Sequence, residues 1–363
     1  MRVTSISRRR ENRDVGQFST RVLEARHMSN FHTPCCWWPL GHIRGWKGPS
    51  GFGAKSSWRD VVDDLAPMDV RKTIVVTGGS RGLGAETVRA FAAVGATIVI
   101  GARDETHAKS FACELMSNTR AIVHVVELDL RSYESIVAFV RAVARLHSGD
   151  VNVLVNNAGV MPCAYDAARG QDPAWHVNFL GHFILTQKLL PHMARGARVC
   201  NVTSEVYRFS YDSRDLPLED VDDPTKYDAV KSYGQSKLAI VLWTCHQARS
   251  PALVERDVSM MLVHPGSVET NGAAEARRRS GWRGAVLHCI GAPFVKSLEC
   301  GAATTVYAAL HPSAAAYAAF GHRYFTSCNP RETTKQARDR DLARRVTERA
   351  AEYLATLDAA DGH

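Results

Sequence analysis

No stretch of the 363-residue chain approaches the roughly 20 consecutive apolar residues that span a bilayer, so no transmembrane segment is expected. The cluster of Trp37, Trp38 and Leu40 is short and is broken by Pro39. The nine cysteines include no Cys-x-x-Cys pair and no metal-like spacing. Free thiols in a reducing compartment and no metal site follow from that pattern. After residue 67 no basic run is interleaved with aromatics, which leaves nucleic-acid binding without support. Acidic residues are also scarce at the start of the chain. Residues 1–67 hold 11 Lys+Arg against 6 Asp+Glu, a net of +5 out of the total of +8, so the body carries only +3.

The first 67 residues show no sustained hydrophobic period, and five glycines and a proline lie between Gly41 and Gly53. That composition predicts an irregular or disordered basic extension. Arg8, Arg9 and Arg10 give it some transit-peptide character, which would send the chain to mitochondria. Glu11, Asp14 and Glu24 oppose that reading, so the cytoplasm is the expected compartment. Order begins near Met68, which could itself serve as a start.

From there apolar runs and amphipathic segments alternate. Strands are expected at 73–77, 97–100, 122–128, 151–155, 198–202 and 258–263, with a last short one at 324–326. Helices are expected at 85–94, 110–117, 133–146, 175–192, 233–248 and 302–310. Alternating elements imply parallel strands joined by right-handed crossovers. The fold class is therefore α/β, a single doubly wound parallel-sheet (Rossmann) domain. The expected division is an extension over 1–67, the domain over 68–345, and a C-terminal helix and tail over 346–363.

The first strand runs into Thr77-Gly78-Gly79-Ser80-Arg81-Gly82-Leu83-Gly84. Glycines at a strand-to-helix turn let a pyrophosphate approach free N–H groups at a helix N-terminus. The second strand ends Gly101-Ala102-Arg103-Asp104. Ala102 stands where an NAD-binding chain usually carries an acid for the ribose 2′-hydroxyl. Arg103 and Arg81 suit a 2′-phosphate, so the expected cofactor is NADP(H). Asp104 could pair with Arg103.

Tyr233-Gly234-Gln235-Ser236-Lys237 puts a phenol and an ammonium one helical turn apart on one face. An ammonium about 4 Å from a phenol favours phenolate by up to about three pKa units at an effective dielectric of about 20. The pair suits acid–base catalysis. Tyr227 and Lys231 repeat the spacing, but Tyr227 follows Asp222-Asp223-Pro224 and is expected at the helix entrance. His264 reads as a structural residue at a strand end.

On these motifs the chain resembles the short-chain dehydrogenase/reductase family over about residues 70 to 340. Further matches are Asn156-Asn157-Ala158-Gly159 after the fourth strand, Asp129 with Leu130 beside it after the third, and Asn178 in the long helix. Ser204 ends the fifth strand, and Pro265-Gly266 with Val268 and Thr270 follow the sixth. The resemblance implies that Tyr233 is the general acid and base and that Lys237 binds ribose hydroxyls and lowers the tyrosine pKa. It implies that Ser204 orients the carbonyl and that Asn178 anchors a water for proton relay. It also implies dinucleotide contacts from Gly78, Ser80, Arg81, Gly82, Leu83, Gly84, Arg103, Asp129, Leu130, Asn157, Ala158, Gly159, Tyr233, Lys237, Pro265, Gly266, Val268 and Thr270.

Within the family the chain is similar to the retinol dehydrogenase and WW-domain oxidoreductase branch. The clues are Gly101-Ala102-Arg103-Asp104, the gap from Ser204 to Tyr233, and Gly321-His322-Arg323-Tyr324-Phe325. That branch implies an NADP(H)-dependent oxidoreductase acting on a small lipophilic carbonyl or alcohol. A non-catalytic NADP(H)-binding scaffold or sensor and a C=C reductase of the same fold stay open as alternatives. The segments 267–296 and 208–226 are expected to set specificity, either as a lid over an apolar substrate or as ordinary surface and core helices. Pairing of relatives through the helices at Trp175 and Tyr233 suggests a homodimer.

Overall fold

The computed structural model describes residues 45–66, 72–147, 150–209, 220–268 and 295–361. Thr270, most of the segment 267–296 and most of the insertion 208–226 lie outside the described residues, as do residues 1–44.

Apolar residues, β-branched above all in the first three, fill the strands β1 (Thr73–Thr77), β2 (Thr97–Ala102), β3 (Ile122–Glu127), β4 (Val151–Asn156), β5 (Met193–Val202) and β6 (Ser259–His264). They fit a pleated surface covered on both faces. With the short β9 (Tyr324–Thr326) and β10 (Asn329–Arg331) they form an eight-stranded sheet ordered β10-β9-β6-β5-β4-β1-β2-β3. All described neighbours are parallel except β10, which turns back on β9. A separate parallel pair joins β7 (Ser267–Val268) to β8 (Val295–Lys296). Chain order reverses between β1 and β4, so the carboxyl ends of those strands frame a crevice, the usual ligand position in such sheets.

Two apolar layers sandwich the sheet. In β1, Ile74 and Val76 face one layer and Val75 the other. The first layer contains α1 (Trp58–Leu65), α2 (Gly82–Ala93), α3 (Glu105–Asn118), α8 (Leu298–Leu310) and α9 (Pro312–Ala319). The second contains α4 (Tyr133–His147), α5 (Gly181–Leu189), α6 (Ala229–Gln247), α7 (Pro251–Glu255) and α10 (Arg340–Asp361). A buried guanidinium fixes one joint between layers. Arg198 of β5 donates from Nη1 to the carbonyls of Ala308, Ala309 and His311 at the C-terminal end of α8, at 2.9 to 3.1 Å.

Four expectations need correction. The extension is not irregular up to residue 67. Ser57 and Asp60 form a capping box, and Trp58, Val61 and Leu65 form a buried stripe on α1. Phe52 is buried edge-on to Tyr307 and His311. Asp64 meets His311 at 2.9 Å, and Arg59 meets Glu299 at 3.2 Å. The last helix starts at Arg340 rather than 346, and it belongs to the domain. It buries Leu342, Ala343, Val346 and Ala350, and Lys188 of α5 reaches Asp358 at 2.7 Å. The long helix expected over 175–192 is divided. A π turn covers Trp175–Leu180, α5 follows, and a 3-10 turn covers Leu190–His192, where Pro191 cannot donate to a helix. Strand β5 begins earlier than expected, and its register with β4 shifts between Val151 and Val153.

Candidate active site

The glycine turn opens the crevice. Gly78 and Gly82 hold φ of +63° and +55°, a region costly for side chains. A Cβ on Gly84 would lie 2.2 Å from the Gly78 carbonyl oxygen, so only glycine lets α2 approach the turn. Arg81 is the N-cap of α2 but makes no side-chain cap. The first N–H groups of that helix therefore suit an anion, and the space above Gly82 is open. These features fit a dinucleotide pyrophosphate.

Asn157 and Ala158 are drawn against that turn. Both backbone N–H groups donate to Thr77 Oγ1, at 3.0 and 2.9 Å, and the Asn157 amide donates to the Thr77 carbonyl at 2.9 Å. With two donors already accepted, the single Thr77 proton goes to His182 Nε2, 2.9 Å away. His182 Nδ1 then carries the other proton and donates it to the Asn178 carbonyl at 3.0 Å. Burial holds His182 down to about 4, so it is neutral. Sequence reading missed this histidine. Its only signal was a polar residue in an apolar helix, which says nothing about Thr77 across the sheet.

Asp104 does not pair with Arg103. It reaches Arg81 at 2.8 Å across exposed surface and caps α3 by accepting the His107 N–H. Arg103 has no carboxylate within ion-pair distance among the described residues. It lines a cavity of about 340 Å³ with Arg131, Val160, Tyr165, Asp166 and Val177, beside the carboxyl ends of β2 and β3. In its wall Arg131 pairs with Asp166 at 2.5 Å, and Arg169 pairs with Asp129 at 3.5 Å.

On the other side of the crevice, α6 starts at Ala229 with Asp228 as its N-cap. Tyr227 thus lies outside the helix, and its hydroxyl donates to the Cys163 carbonyl at 2.7 Å. Tyr233 is buried, and the Ser204 hydroxyl lies near enough to its own to oppose the effect of burial on its pKa. Lys237 is also buried and donates to the Val202 carbonyl at 3.1 Å. A Cβ on Gly159 would come within 3.8 Å of Lys237 Nζ and 3.1 Å of Asn178 Oδ1. Tyr233, Ser204, Lys237, Gly159 and Asn178 therefore converge.

Two roles look different at this range. The ammonium of Lys237 lies 5.8 Å from the centre of the Tyr233 ring and bonds to a carbonyl, not to the phenol. Burial raises the Tyr233 pKa, partly offset by Ser204, and it brings Lys237 down to about 8. Desolvation outweighs the charge effect expected from spacing alone. The Asn178 side chain is locked on Val160, accepting its N–H at 2.8 Å, and donates to Ser236 Oγ at 3.0 Å. Its backbone carbonyl, in the π turn, accepts from His182 Nδ1.

The segment after β6 also needs a glycine. Gly266 has φ of +90°, and a Cβ there would lie 2.9 Å from Lys296 Cε. Gly301 at the start of α8 packs on Val268 and on Leu83 of the glycine turn. The two sides of the crevice thus meet through α8. His264 is buried, and burial brings it down to about 4, so it is neutral at the end of β6. No group of metal-ligating side chains and no helix long and apolar enough to cross a membrane occurs among the described residues.

Residues 72–214 match the family model described as short chain dehydrogenase. A short-chain dehydrogenase of Brassica napus, TIC 32 B, chloroplastic, is 34% identical over 316 residues, covering 84% of this chain and 94% of that protein. Human retinol dehydrogenase 12 is 34% identical over 287 residues, covering 78% of this chain and 86% of that one. Among solved structures, L-sorbose reductase of Gluconobacter frateurii, complexed with NADPH and L-sorbose, superposes with a TM-score of 0.55. It is 22% identical and covers 69% of this chain and 94% of its own, so it speaks for the fold.

Proposed function

Since the chain belongs to the short-chain dehydrogenase/reductase family, we propose that it is an NADP(H)-dependent oxidoreductase interconverting a carbonyl and an alcohol on a small lipophilic substrate. The observation that carries the reading is the convergence of buried Tyr233 and Lys237 with half-buried Ser204 across the crevice from an open glycine turn. When bound, the nicotinamide supplies or accepts the hydride.

The chain's own residues do the rest. The Tyr233 hydroxyl gives its proton to the carbonyl oxygen in reduction and takes one back in oxidation. At neutral pH the phenol holds its proton and so can donate it in reduction. The Ser204 hydroxyl, beside Tyr233, donates to the same oxygen as charge develops there. Lys237, with one N–H on the Val202 carbonyl, has others to offer the ribose hydroxyls. Gly78, Ser80, Gly82 and Leu83 would hold the pyrophosphate. Arg103, free of a carboxylate among the described residues, would hold the 2′-phosphate, and Arg81 would join it by leaving Asp104. An exposed ion pair contributes little, so that exchange costs little. Val160 and Val177 offer the adenine an apolar wall.

The test is turnover of NADPH with a panel of medium-chain aldehydes, ketones and quinones. Y233F should lower kcat by about 10²- to 10⁴-fold, the usual worth of a positioned proton donor, while NADPH still raises the melting temperature. Full activity in Y233F would exclude the mechanism. A larger thermal shift with NADH than with NADPH would reverse the cofactor assignment.

A further inference from the structure

One buried cation has no place in the mechanism above. Lys296 is 6% exposed. It sits on β8, opposite Val268 of β7, and its side chain runs behind Gly266. Its ammonium donates to Ser327 Oγ at 3.0 Å. Ser327 and Cys328 form the turn between β9 and β10 with φ of +50° and +62°, a conformation that usually calls for glycine. The turn is held from several sides. The Cys328 N–H donates to Thr304 Oγ1 at 3.3 Å, and Asn329 bonds to the Phe52 and Ser327 carbonyls. A strained turn thus fixes the acceptor for one lysine.

The surroundings leave that charge uncompensated. The titratable groups facing it are Cys300 of α8, Cys328 of the turn and His264 of β6. Burial raises Cys328 to about 12 and lowers His264 to about 4, so both are neutral near pH 7. Glu299, the nearest acid along the chain, pairs with Arg59. Among the described residues no carboxylate lies within ion-pair distance of Lys296. The N-terminal end of α8, capped by Ser297, adds a positive dipole end beside it.

Resting on the proposed function, with Pro265, Gly266 and Val268 as its dinucleotide contacts at the nicotinamide end, we propose that Lys296 is a positioning residue that makes the pocket prefer the reduced cofactor to the oxidised one. The oxidised ring carries a positive charge and the reduced ring carries none. A fixed ammonium behind Gly266 therefore penalises only the oxidised form. The same side chain fills the space behind Gly266 and keeps the segment in place.

At an effective dielectric of about 20, a unit charge about 12 Å away changes an affinity ratio by about tenfold. The experiment is titration of the full chain with NADP⁺ and NADPH, separately, by calorimetry, in wild type, K296M and K296R. The wild type should bind NADPH more tightly. K296M should lower the ratio of the two Kd values by about fivefold to tenfold, and K296R should keep it within about twofold. K296Q replaces K296M if methionine prevents folding. A neutral variant that binds both forms with the wild-type ratio overturns the proposal, as does a wild type with equal affinities. If neither dinucleotide binds the wild type, the cofactor reading itself falls and takes this proposal with it.

Discussion

At the scale of single residues, burial decides the chemistry more than proximity does. Lys237 is brought from its ordinary value down to about 8 because its ammonium loses water and gains a carbonyl. A free lysine in the unfolded chain titrates near 10.4. Below pH 8 the group is charged in both states, and the fold bears the cost of burying it. Between about 8 and 10.4 the unfolded chain holds the extra proton, so stability rises with pH through that window. The free-enzyme K237M variant should therefore unfold at higher urea than wild type at pH 7, by roughly 3 kcal/mol at most. The difference should shrink towards pH 10. Urea titration at the two pH values checks this, and an unchanged difference would mean the ammonium is hydrated in the fold. The same variant should lose activity, since stability and function oppose each other at such sites.

At the scale of elements, α1 shows where local patterning suffices and where it does not. Most strands and helices were legible because a strand covered on both faces is a continuous β-branched run. Ile74–Val76 and Val99–Ile100 are such runs. The Tyr233/Lys237 pair and the glycine turn were legible because each depends on spacing within one element. Helix α1 carried its own signals, Ser57 with Asp60 and the series Trp58, Val61, Leu65. Eight residues behind a glycine-rich run were too few to outweigh the composition around them. The partners of Asp104, the lock between His182 and Thr77, and the ammonium behind Gly266 were not legible. Each joins elements that only the folded sheet brings together. Trp58 tests the corrected boundary. It is 4% exposed, and its indole N–H donates to Glu86 at 2.9 Å. W58A should cost about 3–5 kcal/mol in urea unfolding. A loss under about 1 kcal/mol would show that the extension does not stabilise the domain.

At the scale of the whole molecule, α10 occupies the surface through which the chain was expected to pair. From Ser232 to Thr244 every residue of α6 is buried. Part of that cover comes from α10, with Val346 and Ala350 in the core and Tyr353, Leu354 and Leu357 packed against it. Tyr353 also meets His176 of the π turn edge-on. A helix of the same chain thus covers part of the face expected to meet a partner. The full chain should run as a monomer in light scattering after gel filtration. Removal of residues 340–363 should yield dimers or aggregates through the exposed apolar face. A full-length dimer that survives dilution to nanomolar concentration would contradict this.

The joint at the end of α8 sets an order of loosening. Arg198 is held by three carbonyls and the negative end of a helix, all inside the fold. Beside it, His311 reaches Asp64 at the exposed side of α1. Local opening should therefore peel α1 away first and leave α8 riveted to the sheet, a sequence that amide exchange would record as early deuteration of residues 58–65 and late deuteration of 304–311.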